Sequence, residues 1–258
     1  MNLLVFDSGI GGLGVVREIR RSQPRAGIIY LADNGFFPYG DKPDDELLRH
    51  ILAVLGQAID RFRPDALVIA CNTASTIALP ALRAAFPQPV IGCVPPIKPA
   101  AAASLSRRIG VLATKATAAR PYLQSLIDEH AAGCTVYSLG TPSLALLAER
   151  KFRGHAVDPA AAIAPLFAQP GAALIDAIAL GCTHYSFLIP EFRDLYPAIS
   201  WFDPALPVAR RTLHVTGSLA SAAAAVNLAC FTMTPDEPSV IDRELAAFGF
   251  AGHCIQAG

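Results

Sequence analysis

The chain has 258 residues, 53% hydrophobic and 16% charged, with 21 basic residues balanced by 21 acidic ones. That composition supports a sizeable core and excludes disorder, and neutrality without a basic stripe excludes nucleic acid as a natural partner. Mean hydropathy is +0.41, yet no uninterrupted apolar run reaches the length of a membrane span.

The opening residues Met1 to Asp7 lack a basic leader and reach an acid at once. They read as a first strand over 3–6 and not as a secretory signal, so a cytoplasmic protein is expected. A helix over 12–22 follows, then a strand over 28–31, a helix over 44–62, a strand over 66–70, a helix over 75–85 and a strand over 90–92. The prolines of Val94-Pro95-Pro96-Ile97-Lys98-Pro99 interrupt the pattern and mark a crossing point. Beyond it the spacing predicts a strand over 109–113, a helix over 117–130, a strand over 136–139 and helices over 143–150 and 160–167. A strand over 177–180, a helix over 187–195, a strand over 199–202 and a helix over 207–213 complete the series. Short runs of Val, Ile and Leu between longer amphipathic stretches indicate parallel sheets covered by helices.

The pattern repeats. Leu4-Val-Phe-Asp-Ser-Gly and Ile109-Gly-Val-Leu-Ala-Thr each open a half, and each half reaches a strand that ends in cysteine. The fold expected is therefore α/β, with two pseudo-symmetric domains facing each other across a cleft. Residues 1–95 with about 208–258 make the first domain, and 96–207 the second. The apolar stretch 219–231 is too short to span a membrane.

The two cysteine-ending strands carry the candidate chemistry. One reads Ala70-Cys71-Asn72-Thr73-Ala74-Ser75 and the other Gly181-Cys182-Thr183-His184-Tyr185-Ser186, 111 positions apart. Matched thiols on two sides of a cleft are what a two-base racemase needs. A cysteine at a strand-to-helix junction also lies near the positive end of the helix dipole, which favours thiolate. His184 beside Cys182 is a partner for proton transfer. A Cys–His hydrolase would use the second half alone and leave Cys71 without a role. The six cysteines show no C-x-x-C pair, so no metal site is expected and all six are expected as free thiols. Cys93, Cys134 and Cys230 read as small buried hydrophobes.

The first loop, Asp7-Ser8-Gly9-Ile10-Gly11-Gly12-Leu13-Gly14, contains G-x-G-x-x-G, and Asp33 ends the second strand 19 residues later. That is most of a dinucleotide fingerprint. A carboxylate at the strand end would repel a pyrophosphate but could hold an ammonium group. The turn Pro38-Tyr39-Gly40 lies at a strand's carboxyl end, where open α/β sheets bind ligands. Glu149 reads on pattern alone as a helix-face residue.

At these residues the sequence resembles the glutamate racemases. The shared stretches are Phe6 to Gly12, Pro38-Tyr39-Gly40, Ala70 to Ser75, Val94 to Ala100, Gly110 to Thr114, Leu180 to Tyr185, Asp203-Pro204-Ala205 and Val208 to Arg211. The resemblance implies a cofactor-independent racemase that supplies D-glutamate for peptidoglycan. It implies Cys71 and Cys182 as the catalytic acid/bases, the first acting on the D form and the second on the L form. It also implies supporting roles for Asp7, Asp33, Glu149 and His184, and substrate contacts from Asp7, Ser8, Tyr39, Gly40, Asn72, Thr73, Thr183 and His184. It implies glutamate as the small-molecule partner, a homodimer, and neither metal nor cofactor. Ser186 and Gly140-Thr141-Pro142 depart from the family pattern. A racemase of aspartate and a dinucleotide-dependent oxidoreductase are the alternatives.

Overall fold

A computed structural model describes residues 1–217, 219 and 224–256. Among the described residues, ten strands form two sheets. The first is built from β1 (Asn2–Asp7), β2 (Gly27–Ala32), β3 (Ala66–Ile69), β4 (Val90–Gly92), β9 (Asn227–Phe231) and β10 (His253–Ile255). The second holds β5 (Arg108–Ala113), β6 (Thr135–Gly140), β7 (Ala177–Gly181) and β8 (Ser200–Phe202). Every pairing is parallel.

The strand orders carry the duplication. The first sheet runs β10-β9-β2-β1-β3-β4 and the second β6-β5-β7-β8. The order β2-β1-β3-β4 is thus repeated by β6-β5-β7-β8, with β1 matching β5 and β3 matching β7. Cys71 follows β3 after one residue and Cys182 follows β7 directly, so the two thiols stand at equivalent strand ends.

Alternation along each strand fills both faces of the sheets. Leu3, Val5, Ile28, Tyr30 and Val68 face α1 (Leu13–Ser22), α10 (Ala205–Thr216) and α11 (Pro238–Ala246). Leu4, Phe6, Ile29, Leu31, Leu67 and Ile69 face α2 (Asp44–Phe62) and α3 (Asn72–Ala85). In the second sheet Leu112, Ile178 and Leu180 pack on α7 (Ser143–Phe152), α8 (Ala160–Phe167) and α9 (Ile189–Leu195). Its other face packs on α4 (Ile97–Ala103) and α6 (Pro121–His130). Helix α2 starts at Asp44-Asp45-Glu46 and ends past Arg61, which suits the helix dipole at both ends.

Several expectations are corrected. The helix expected over 117–130 is two helices, α5 (Lys115–Ala118) and α6, because Pro121 cannot continue α5 but suits the first turn of α6. The helix expected over 187–195 begins as a 3-10 turn, Thr183–Leu188, before α9. Within the proline-rich crossing lies α4, where Pro99 sits in the first turn and needs no donor. The strands β9 and β10 and the helix α11 extend the first sheet and cover it. Ser221, inside the apolar stretch singled out above, lies outside the described residues. The expectation of six free thiols fails for two. Cys230 and Cys254 are directly paired across β9 and β10, their Cα atoms 4.6 Å apart, and form a disulfide. Cys71, Cys93, Cys134 and Cys182 are free. Among the described residues no helix is long and apolar enough to cross a membrane.

Candidate active site

The carboxyl ends of β1, β3, β5 and β7 converge where the two sheets meet, and the expected residues gather there. Cys71 and Cys182 are 6% and 7% exposed. Cys71 is the N-cap of α3 and accepts a hydrogen bond from the Ala74 N–H at 3.5 Å. Ser8 Oγ lies 3.9 Å from its sulfur. The helix dipole does not prevail at this thiol. Burial first, then the Asp7 carboxylate, push Cys71 far above the usual thiol range, and the nearby Cys182 sulfur adds to this as a like charge. The free chain therefore holds Cys71 as a thiol, which corrects the expectation of a thiolate there. Cys182 leads into the 3-10 turn without a side-chain cap, and its Sγ lies 4.0 Å from His184 Nδ1.

Asp7 joins the halves. It is fully buried. Its Oδ2 accepts from the Thr183 hydroxyl at 2.8 Å and its Oδ1 from the Gly9 N–H at 3.1 Å. Burial raises its pKa, while His184 and these donors work in the other direction. His184 is the opposite case. Burial disfavours its charge, but hydrogen bonds to Cys182 and Glu149 and the negative charge of Asp7 outweigh burial. It holds its proton well above the ordinary histidine range. His184 Nε2 is 3.1 Å from Glu149 Oε1, which also accepts the Ile10 N–H at 2.9 Å. Glu149 of α7 is thus no plain helix-face residue: it reaches across to the loop after β1. A groove of about 800 Å³ opens beside Gly9, Phe37 and Glu149.

The glycines of the first loop serve this closeness. A Cβ on Gly9 would strike Glu149 Oε1 and lie 2.8 Å from His184 Nε2. A Cβ on Gly11 would strike His184 Nδ1 and lie 2.7 Å from Thr183 Oγ1. The space a pyrophosphate would need above these glycines is filled by side chains of the other half, which is evidence against the dinucleotide reading.

Asn72 and Thr73 begin α3. Asn72 is buried, and neither end of its amide has a hydrogen-bond partner among the described residues. Such a group is costly unless a ligand supplies its partners. Thr73 Oγ1 lies 3.1 Å from Thr114 Oγ1 and 3.3 Å from Thr117 Oγ1, so three hydroxyls from both halves meet. The sequence reading missed Thr114 and Thr117 as site residues, although Thr114 directly follows β5, the strand that repeats β1. Tyr39 and Gly40 open a 3-10 turn, Tyr39–Asp41. Gly40 is so near Thr114 that an added Cβ would lie 2.8 Å from the Thr114 Cβ. Asp33, buried directly after β2, accepts the Tyr39 hydroxyl.

The Asp/Glu/hydantoin racemase family model matches residues 14–212. The chain belongs to that family. A glutamate racemase of Granulibacter bethesdensis is 52% identical over 83% of this racemase and 78% of its own length. One from Sphingopyxis alaskensis is 43% identical over 96% and 94%. Among solved structures, Escherichia coli glutamate racemase, crystallised with L-glutamate and the activator UDP-MurNAc-Ala, is 35% identical. It superposes with a TM-score of 0.91 over 99% of this racemase and 98% of its own chain. The two-domain α/β fold is therefore shared as well as the sequence.

Proposed function

We propose that the chain is a glutamate racemase that interconverts L- and D-glutamate with two thiols and no cofactor. The observation that carries this reading is the pair of buried cysteines at equivalent ends of β3 and β7, one from each half of a duplicated fold. The names of the relatives support glutamate as the substrate. Residues 1–95 with about 208–258 are assigned to one domain and 96–207 to the other.

Racemisation takes the Cα proton from one face and delivers another to the opposite face. From L-glutamate, the Cys182 thiolate removes the proton and becomes a thiol, while the Cys71 thiol protonates the other face and is left as thiolate. From D-glutamate the roles exchange. His184 trades protons with Cys182 under the hold of Glu149. Asp7 and Ser8 receive the substrate ammonium, whose positive charge offsets the Asp7 charge that disfavours a Cys71 thiolate. Asn72, Thr73 and Thr183, with backbone N–H groups at Gly40, hold the carboxylates, and Thr114 and Thr117 extend that set. Asp33 acts behind Tyr39. The developing carbanion is stabilised by these fixed donors in a site closed to water.

A homodimer working in the cytoplasm ahead of peptidoglycan synthesis is part of the reading. Circular dichroism of the purified protein with D-glutamate, then D-aspartate, and no added cofactor tests it. The D-glutamate signal decays to zero at racemic equilibrium. Decay with D-aspartate alone moves the assignment to aspartate, and decay with neither overturns the racemase.

A further inference from the structure

Asp33 is fully buried, and a buried carboxylate must be met by donors on both oxygens. Its Oδ2 receives the Tyr39 hydroxyl and lies 2.6 Å from His50 Nε2 on α2. Its Oδ1 receives the Thr232 hydroxyl at 2.7 Å, from the residue after β9. The same two segments are laced by backbone and side chain. The Thr232 N–H donates to the Ala32 carbonyl at 3.0 Å, and Gly35 N–H to Thr232 Oγ1 at 3.1 Å. Asn34 Nδ2 donates to the Met233 carbonyl at 2.9 Å, and Met233 N–H to Asn34 Oδ1 at 3.0 Å. The His50 ring stacks on Phe36 at 4.1 Å, and Phe36 meets the Tyr39 ring edge-on. What these contacts hold is the loop wedged between the halves, with the Phe37 ring 5.3 Å from that of His184 and Gly40 against Thr114.

We propose that His50 and Thr232 are positioning residues for the reaction: by clamping both oxygens of Asp33 they fix the Tyr39–Gly40 turn that forms one wall of the substrate site. The C-terminal segment is thereby part of the active-site machinery, although it lies on the far side of β2 from the thiols. Among the described residues, Oδ2 without His50 keeps only Tyr39, and Oδ1 without Thr232 keeps no side-chain donor. In either case the carboxylate can turn, and the wall of the site turns with it.

The inference rests on the racemase reading. Its test uses four full-length variants: His50→Leu and Thr232→Val, which remove the donors, and His50→Gln and Thr232→Ser, which keep them. Loosening a wall by a fraction of an ångström predicts a KM for glutamate raised roughly 10- to 100-fold in the first pair, with kcat less affected because the thiols stay in place. The second pair stays within about threefold of wild type on that scale. Wild-type KM in His50→Leu and Thr232→Val overturns the proposal. So does equal damage in donor-keeping and donor-removing variants with equally lowered melting temperatures, which is the mark of a merely structural role. Hydrogen exchange over residues 36–42, read by mass spectrometry, is independent of turnover. Protection is lost in the first pair and kept in the second. Should wild type racemise no acidic amino acid, the functional reading falls while this measurement still decides the clamp, and unchanged protection in the first pair sinks it.

Discussion

The Thr183 hydroxyl of one half donates to the Asp7 carboxylate of the other at 2.8 Å. One hydrogen bond therefore both orients the acid proposed to receive the substrate ammonium and fastens the two sheets at the site. Hydrogen bonds to a charged group contribute about 1.5–3 kcal/mol. Thr183→Val keeps the shape and removes the donor, so kcat/KM is expected to fall by about ten- to a hundredfold, in steady-state assays run in both directions. A variant with unaltered kcat/KM would show that the bond is not used in turnover.

Under the proposed mechanism, Cys71→Ser and Cys182→Ser each remove a proton-transfer group. Each is expected to lower kcat by about 10²- to 10⁴-fold with smaller effects on KM. In wild type, isotope transfer reads the same division of labour. In deuterated water, early product from protiated L-glutamate carries deuterium at Cα, while unreacted L-glutamate stays mostly protiated. Mass spectrometry after chiral separation checks this. Early product that retained protium from both enantiomers would instead mean one base serving both faces.

His184 holds its proton well above the ordinary value of 6.5, since its hydrogen bonds and Asp7 outweigh burial. Above pH 6.5 the unfolded chain has released a proton that the folded chain keeps. The stabilisation is full below that pH and is lost as pH rises through the folded value. Asp7, raised from 3.8 by burial, declines in the same direction from a more acidic start. Cys71 contributes only above its ordinary 9.0. The melting temperature of wild type should fall from pH 6.5 to 9, and His184→Asn should flatten that slope. Equal slopes would contradict the assignment of a charged His184.

Gly11→Ala places a methyl against His184 and Thr183. Overpacking of this kind costs about 1–3 kcal/mol, and here it also pushes the halves apart, so both stability and turnover fall. The same crowding predicts that NAD and NADP leave the melting temperature unchanged while glutamate raises it by mass action. A rise with a dinucleotide alone would move the protein among the oxidoreductases.

The central strands were legible because Val, Ile and Leu runs buried on both faces leave little else they can be. Helix α2, with acids at its start and Arg61 near its end, matches its expected bounds. The C-terminal strands were not legible. Leu228 to Phe231 merge with the apolar stretch before them, and β10 has three residues. The helix α4 hid among prolines. At the site, Asp7, Cys71 and Cys182 could be found because each stands at or next to a strand end. His50 could not, since it lies mid-helix and acts only through Asp33. Nor could Thr232, which meets Asp33 from 199 positions away once β9 has paired with β2.

The duplicated strand order brings like groups together without making them alike. Cys71 caps an α-helix and has Ser8 beside it; Cys182 enters a 3-10 turn and has His184. A chain of L-residues cannot be the mirror image of itself, so the two half-reactions meet different barriers. The enantiomers, however, have equal free energy in water, which ties kcat/KM in the two directions to a ratio of one. Inequality between the thiols can surface only as matched changes in kcat and KM. A substitution that slows racemisation at either sulfur must slow both directions by the same factor at low substrate, whichever enantiomer that sulfur is proposed to deprotonate.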